Sequence, residues 1–376
     1  MLTNRRSFLA GASVATGLST LPLPGLGAAT AAAAVEPDFG PKIGQALLSR
    51  NENHYGPAPS ALKAISDTAT MGCYYNDRGL AKLTAMIAER NGVSPAQVAI
   101  GEGSTEVLSA AALAWGRKGK ILAPELFWDT TVLYGERQGV KVSRVAMLAD
   151  MGVDLAGLEA AVDDSVAMVH LCNPNNPTGI LIPPAELKAF AAKVAPKATL
   201  LIDEAYNELT DRPDENSTID LVRAGADVVV CRTFSKIYGM AGLRVGYAIA
   251  SEENAAKIRA HQMSFGGNLA GLAAAIASYN DMPFLEQSRA AVLEAREMII
   301  AAVAKSGLEA LPSQTNFVFV KVPDANALRD AMATKGIAIR GAYGSLNSFS
   351  RVSTGKLEDV ARYTAALPEL SGKLWG

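Results

Sequence analysis

Apolar residues recur at helical spacing over 61–70 and 80–90, which predicts two amphipathic helices. A short apolar run at 98–100 reads as a strand leading into Gly101-Glu102-Gly103-Ser104-Thr105, and the pattern is helical again over 107–115. Four further runs, 120–123, 166–171, 200–202 and 227–231, are apolar almost throughout and bounded by Pro, Asn, Asp or charged residues. Such runs suit strands covered on both faces, as in a parallel sheet. With a helical segment at 185–194 between two of them, the order is that of an open α/β sheet. Beyond 252 the pattern changes to alanine-rich helical stretches at 268–279 and 285–305, then strand candidates at 316–320, 337–340 and 350–352. This predicts an arm at 35–59, a large α/β domain at 60–255 with a mostly parallel sheet flanked by helices, and a smaller α+β domain at 256–376.

The first 34 residues stand apart. Asn4-Arg5-Arg6-Ser7-Phe8-Leu9 precedes a mildly apolar stretch at 10–23 and an alanine-rich segment ending at Ala34. Paired arginines, a modest apolar region and small residues for a peptidase make up a twin-arginine export signal. The expectation is a signal peptide at 1–34, cleaved near Val35, and a periplasmic enzyme that meets the twin-arginine export machinery already folded and loaded with cofactor. Gly11, Gly17, Pro22 and Pro24 interrupt the apolar stretch, and no membrane anchor is expected in the mature chain.

At 376 residues the chain exceeds what one hydrophobic core supports. Its 35 basic and 37 acidic residues are interspersed, which argues against a nucleic-acid or anionic-membrane partner recognised by bulk charge. Any anion must be held locally. Cys73, Cys172 and Cys231 form no close pair, so they are expected to be small buried apolar residues, with neither a disulfide nor a metal site.

In open α/β sheets ligands sit at the carboxyl ends of the strands, and that is where the informative residues fall. Gly103-Ser104-Thr105 opens a helix, where free backbone N–H groups and two hydroxyls could cradle a phosphate, or merely cap the helix. After the 166–171 run comes Asn173-Pro174-Asn175-Asn176-Pro177-Thr178-Gly179. Asp203-Glu204-Ala205-Tyr206 follows the 200–202 run, and Thr233-Phe234-Ser235-Lys236, with Arg244 beyond, follows the 227–231 run. Together they ask for a ligand with a phosphate (Ser104, Thr105, Thr233, Ser235, Arg244), a cationic ring nitrogen (Asp203), a phenolate oxygen (Asn176, Tyr206) and an aldehyde for an amine (Lys236). Pyridoxal 5'-phosphate has all four. A carboxylate keeps the ring nitrogen protonated so that the ring can accept electrons, and the lysine forms the Schiff base and then shuttles the proton.

Asn-Pro-Asn-Asn-Pro-Thr-Gly, Asp-x-Ala-Tyr and Ser-Lys followed by Ala-Gly-Leu-Arg-x-Gly resemble the fold-type I aminotransferases of class I/II, above all the histidinol-phosphate aminotransferase branch. Asn51-Glu52-Asn53-His54-Tyr55-Gly56-Pro57 and Tyr74-Tyr75-Asn76-Asp77 are similar to two more motifs of that branch. The resemblance implies a homodimer in which Tyr75 reaches the cofactor phosphate of the neighbouring subunit. It implies that Arg351 grips the substrate α-carboxylate as a planar bidentate donor, with Tyr55 and Asn176 also at the substrate and Arg340 as a second anion contact or a surface ion pair. An aromatic residue should stack on the cofactor ring, Trp128 with Phe127 as the alternative. His54 and Asn76 replace prolines of the branch in segments that resemble substrate-facing loops, which implies a different amine. The expected activity is transfer of an amino group between an amino acid and a 2-oxo acid. A lyase, decarboxylase or racemase on the same scaffold, or a non-catalytic binding protein, are the rival readings.

Overall fold

The structure, a computed structural model, describes residues 36–375. The segment 1–34, expected to be an export signal, lies outside the described residues. The described residues divide into two units, 36–43 and 44–375, and the sheets and cores lie within the second.

Seven strands form its main sheet: β1 (Val98–Glu102), β2 (Lys120–Pro124), β3 (Val142–Val145), β4 (Val166–Cys172), β5 (Thr199–Asp203), β6 (Val228–Thr233) and β7 (Val245–Ile249). Their order is β1-β7-β6-β5-β4-β2-β3, and β7 alone runs antiparallel to its neighbours. All five residues of β5 are buried, as are nearly all of β4, β6 and β7, because helices cover both faces of the sheet. One large apolar cluster surrounds this sheet.

A second sheet pairs Phe317–Lys321 with Phe349–Ser353 and with Glu309–Ala310, all antiparallel. The paired segments Ala46–Leu47 and Ile337–Ala338 lie nearby in the chain's hydrogen-bonding, since Leu48 O accepts from Ser353 N at 2.8 Å. The second apolar cluster gathers Val318, Val320, Val352, Leu367, Ala46 and Leu48.

The cores change over within the helix Met282–Lys305, where Phe284 and Val292 pack in the first cluster and Ala295, Ile299 and Val303 in the second. The helix Leu269–Ser278, expected in the small domain, buries Leu272, Ala274 and Ala275 in the sheet's cluster instead. An alanine-rich composition fits either core, so it carries no mark of which one it joins. Cys172 and Cys231 are buried as expected, but Cys73 is exposed in the turn before the helix Asp77–Asn91. Among the described residues no helix is long and apolar enough to cross a membrane.

Candidate active site

Five strand ends converge on one cavity of about 890 Å³, whose walls include Ser104, Thr105, Trp128, Asn176, Asp203, Tyr206, Thr233, Ser235, Lys236, Arg244 and Arg351. Asp203 and Thr233 are the last residues of β5 and β6, Trp128 and Asn176 follow β2 and β4 by four positions, and Ser104 follows β1. The parallel register delivers these side chains to the same edge of the sheet.

The helix Gly103–Gly116 starts hard against β7. Gly103 has φ +73°, and a Cβ there would run into the Arg244 guanidinium. A Cβ on Gly246 would overlap the backbone nitrogen of Ser104, so two glycines let a helix start, a strand and a guanidinium meet. Arg244 Nη1 donates to Ala241 O at 2.8 Å and to Ser235 Oγ at 3.4 Å, and Thr233 Oγ1 donates to Ser235 Oγ at 2.9 Å. Hydroxyls, a guanidinium and a helix N-terminus on one wall are the donor set for a phosphate.

Lys236 Nζ donates to Asn51 O at 3.0 Å and lies 5.5 Å from the centre of the Tyr206 ring. Burial, with Arg351 close by, outweighs the pull of Asp203 and Glu52 and brings the amine down to about 8. Asp203 is buried, and among the described residues its carboxylate accepts a single hydrogen bond, from Ala205 N at 3.1 Å. Burial pushes its carboxyl up to about 7, and its neighbours in register on β4 and β6 are the buried thiols of Cys172 and Cys231. A buried carboxyl this poorly bonded fits a cationic ring nitrogen that would hold it ionised.

Tyr206 Oη accepts from Asn51 Nδ2 at 2.9 Å and from Asn176 Nδ2 at 3.2 Å, and burial raises its phenol. Asn176 Oδ1 in turn accepts from Arg351 Nη1 at 2.7 Å, while Arg351 Nη2 donates to Ser49 O at 3.0 Å. Arg351 is buried without a carboxylate partner, and its Nε is unpaired among the described residues. Arg340 pairs with it across an antiparallel bridge, lines the cavity and lies 5.0 Å from the centre of the Tyr343 ring.

Trp128, 41 % exposed, lines the cavity, whereas Phe127 is buried edge-on against His170, which burial holds neutral. Tyr55 does not join the cavity: its hydroxyl accepts from Leu357 N at 3.1 Å at the start of the helix Leu357–Trp375, because the chain turns outward after Asn53. Tyr75 is 77 % exposed, its ring 5.0 Å from Phe265, and it too lies outside its own chain's cavity. Neither His54 nor Asn76 lines the cavity, and Asn76 Nδ2 ties down the loop at Gly267 O, 2.8 Å away. Sequence reasoning gave no role to Ser49, Arg50, Asn51 or Arg329, all of which line it. For Asn51 the signal was present, a side-chain amide opening the Asn-Glu-Asn motif.

Residues 43–367 match the model of the aminotransferase class I and II family, and the chain belongs to that family. It is a pyridoxal-phosphate-dependent aminotransferase. Among its relatives is the histidinol-phosphate aminotransferase 1 of Thiobacillus denitrificans, 35% identical over 335 residues, covering 86% of this chain and 84% of the relative. That of Dechloromonas aromatica is 36% identical over 325 residues, covering 85% and 88%. The solved structure of the histidinol-phosphate aminotransferase of Sinorhizobium meliloti in complex with pyridoxal-5'-phosphate is 34% identical, with a TM-score of 0.79 over 87% of this chain and 91% of that one.

Proposed function

We propose that Lys236 carries pyridoxal phosphate and that the enzyme moves an amino group between an amino acid, or a related amine, and a 2-oxo acid. Ser104, Thr105, Thr233, Ser235 and Arg244 hold the phosphate, Asp203 the ring nitrogen, and Asn176 and Tyr206 the ring oxygen, with Trp128 against the ring. When bound, the cofactor supplies an electron sink for the bond broken at the substrate Cα. Lys236, whose amine burial brings down to about 8, would be the base that takes and holds the substrate Cα proton at its Nζ. Arg351 orients the substrate by its carboxylate. The observation that carries this reading is the buried, carboxylate-free Arg351 across one cavity from the depressed Lys236 amine.

The reading is tested by Arg351→Gln against a panel of donors and oxo acids. For substrates with an α-carboxylate we expect kcat/KM to fall roughly 10²-fold or more, as for loss of one partner of a buried charged pair. An amine lacking the carboxylate should lose far less, and an equal loss for both kinds would remove Arg351 from the substrate.

A homodimer with Tyr75 reaching the neighbour's phosphate site is part of the same proposal. It is supported by the exposed side chains of Tyr74, Tyr75, Met263 and Phe265, apolar surface of the kind that partners cover. Export by the twin-arginine route to the periplasm is proposed from Arg5-Arg6 and the segment after them. Replacing Arg5-Arg6 by Lys-Lys is expected to leave the precursor inside the cell. Fractionation that found the unmodified chain wholly cytoplasmic and uncleaved would refute export and leave the catalytic roles standing.

A further inference from the structure

Two carboxamides meet on one phenol. Because Tyr206 Oη accepts from both Asn51 Nδ2 and Asn176 Nδ2, its own proton has to be donated elsewhere, and the cavity is the side left open. The oxygen of each amide is engaged at its other end. Asn176 must turn its oxygen to Arg351, since a guanidinium only donates. Asn51 turns its oxygen to Ser353, whose Oγ donates to Oδ1 at 2.8 Å. Arg351 and Ser353 lie two residues apart on the strand Phe349–Ser353, and so on one face of it.

The two ends differ in strictness. What engages the Asn51 oxygen is the proton donated by the Ser353 hydroxyl, so an Asn51 amide released from Ser353 could rotate and present its oxygen to Tyr206. The phenol proton would then go to Asn51 and be lost to any ligand. Further bonds hold the segment in place: Leu48 O accepts from Ser353 N, Ser49 O from Arg351 Nη2, and Asn51 O from Lys236 Nζ. One residue thereby parks the amine by its backbone and aims the phenol by its side chain.

We propose that Asn51 and Ser353 are a positioning pair that keeps the Tyr206 hydroxyl a donor toward the cofactor ring oxygen. This rests on the cofactor reading above. Neither residue touches the cofactor in this role; both act through Tyr206.

The test reads the pH titration of the cofactor's absorbance in the holoenzyme. Its midpoint reports the proton shared between the lysine nitrogen and the ring oxygen. Removing a donor from that oxygen's anionic form strengthens its hold on the proton, so the midpoint rises. Tyr206→Phe sets the full effect, expected at about one pH unit or more. Ser353→Ala should raise the midpoint by part of that amount, Ser353→Thr, which keeps the hydroxyl, should leave it in place, and Ser353→Ala in the Tyr206→Phe background should add nothing. Asn51→Asp, which accepts at both oxygens, should raise it at least as far as Tyr206→Phe. An unmoved midpoint in Ser353→Ala, or an equal rise with and without the phenol hydroxyl, overturns the pair. A wild-type protein that gains no lysine-bound cofactor absorbance when pyridoxal phosphate is added overturns the cofactor reading itself, which separates the two failures.

Discussion

Lys236→Ala is expected to abolish turnover, by roughly 10⁴-fold or more, because one amine is both the covalent tether and the proton carrier. The fold should survive. Burial brings the folded amine from its ordinary 10.5 down to about 8, so between those values the unfolded chain binds more protons than the folded one. Stability from this group therefore rises with pH through that window, and at pH 7 the lysine sits in the cavity wall at a cost. Its removal should leave the thermal midpoint of the cofactor-free protein at pH 7 unchanged or higher. Near-normal transamination by the variant would remove Lys236 from the reaction, and a collapsed midpoint would assign it a structural role. The same variant probes the shared site. Mixed with inactive Tyr75→Ala subunits it should regain part of the activity through hybrid dimers, and hybrids shown to form without any recovery would refute sharing.

The candidate residues at the strand ends were legible because they are chemically distinctive: hydroxyls, two amides, a carboxylate and an amine, each within a few positions of an apolar run. β4, β5 and β6 could be read for the same reason, being buried on both faces. β7 was not, since it begins beside Arg244 and carries Gly246, a residue that weakens a strand pattern yet is what admits Ser104 against the sheet. β3, Val-Ser-Arg-Val at the sheet edge and without a buried residue, shows no apolar run. Asn51 and Ser353 lie 302 positions apart, and nothing local in either segment marks their hydrogen bond. Arg50 and Arg329 are cavity residues only through tertiary placement, since an exposed arginine on a helix or arm is ordinary in sequence.

Asp203→Asn should separate function from stability in opposite directions. In the cofactor-free protein the folded carboxyl is raised from its ordinary 3.8 to about 7, so the folded state holds the proton more tightly than the unfolded chain. The stability that goes with that proton is present below 3.8 and is lost as pH rises through about 7. At pH 8 the wild-type cofactor-free protein bears the full cost of an ionised carboxylate between two buried thiols, a ceiling of about 4 kcal/mol for a shift of this size. Asparagine has nearly the same shape and no charge, so the variant should be the more stable at pH 8, and the difference should shrink as pH falls toward 5. Bound cofactor reverses the balance. A cationic ring nitrogen against Asp203 would make the ionised form the favoured one, and the neutral amide cannot keep that nitrogen protonated. Turnover of the variant should therefore fall roughly 10²–10³-fold, the scale for losing one electrostatic partner of a reacting group. Denaturation of both cofactor-free proteins at pH 5 and pH 8, with steady-state rates of both holoenzymes, decides the matter. An unchanged rate removes Asp203 from the ring nitrogen, and a stability difference that ignores pH shows that burial of its charge is not what the cofactor relieves.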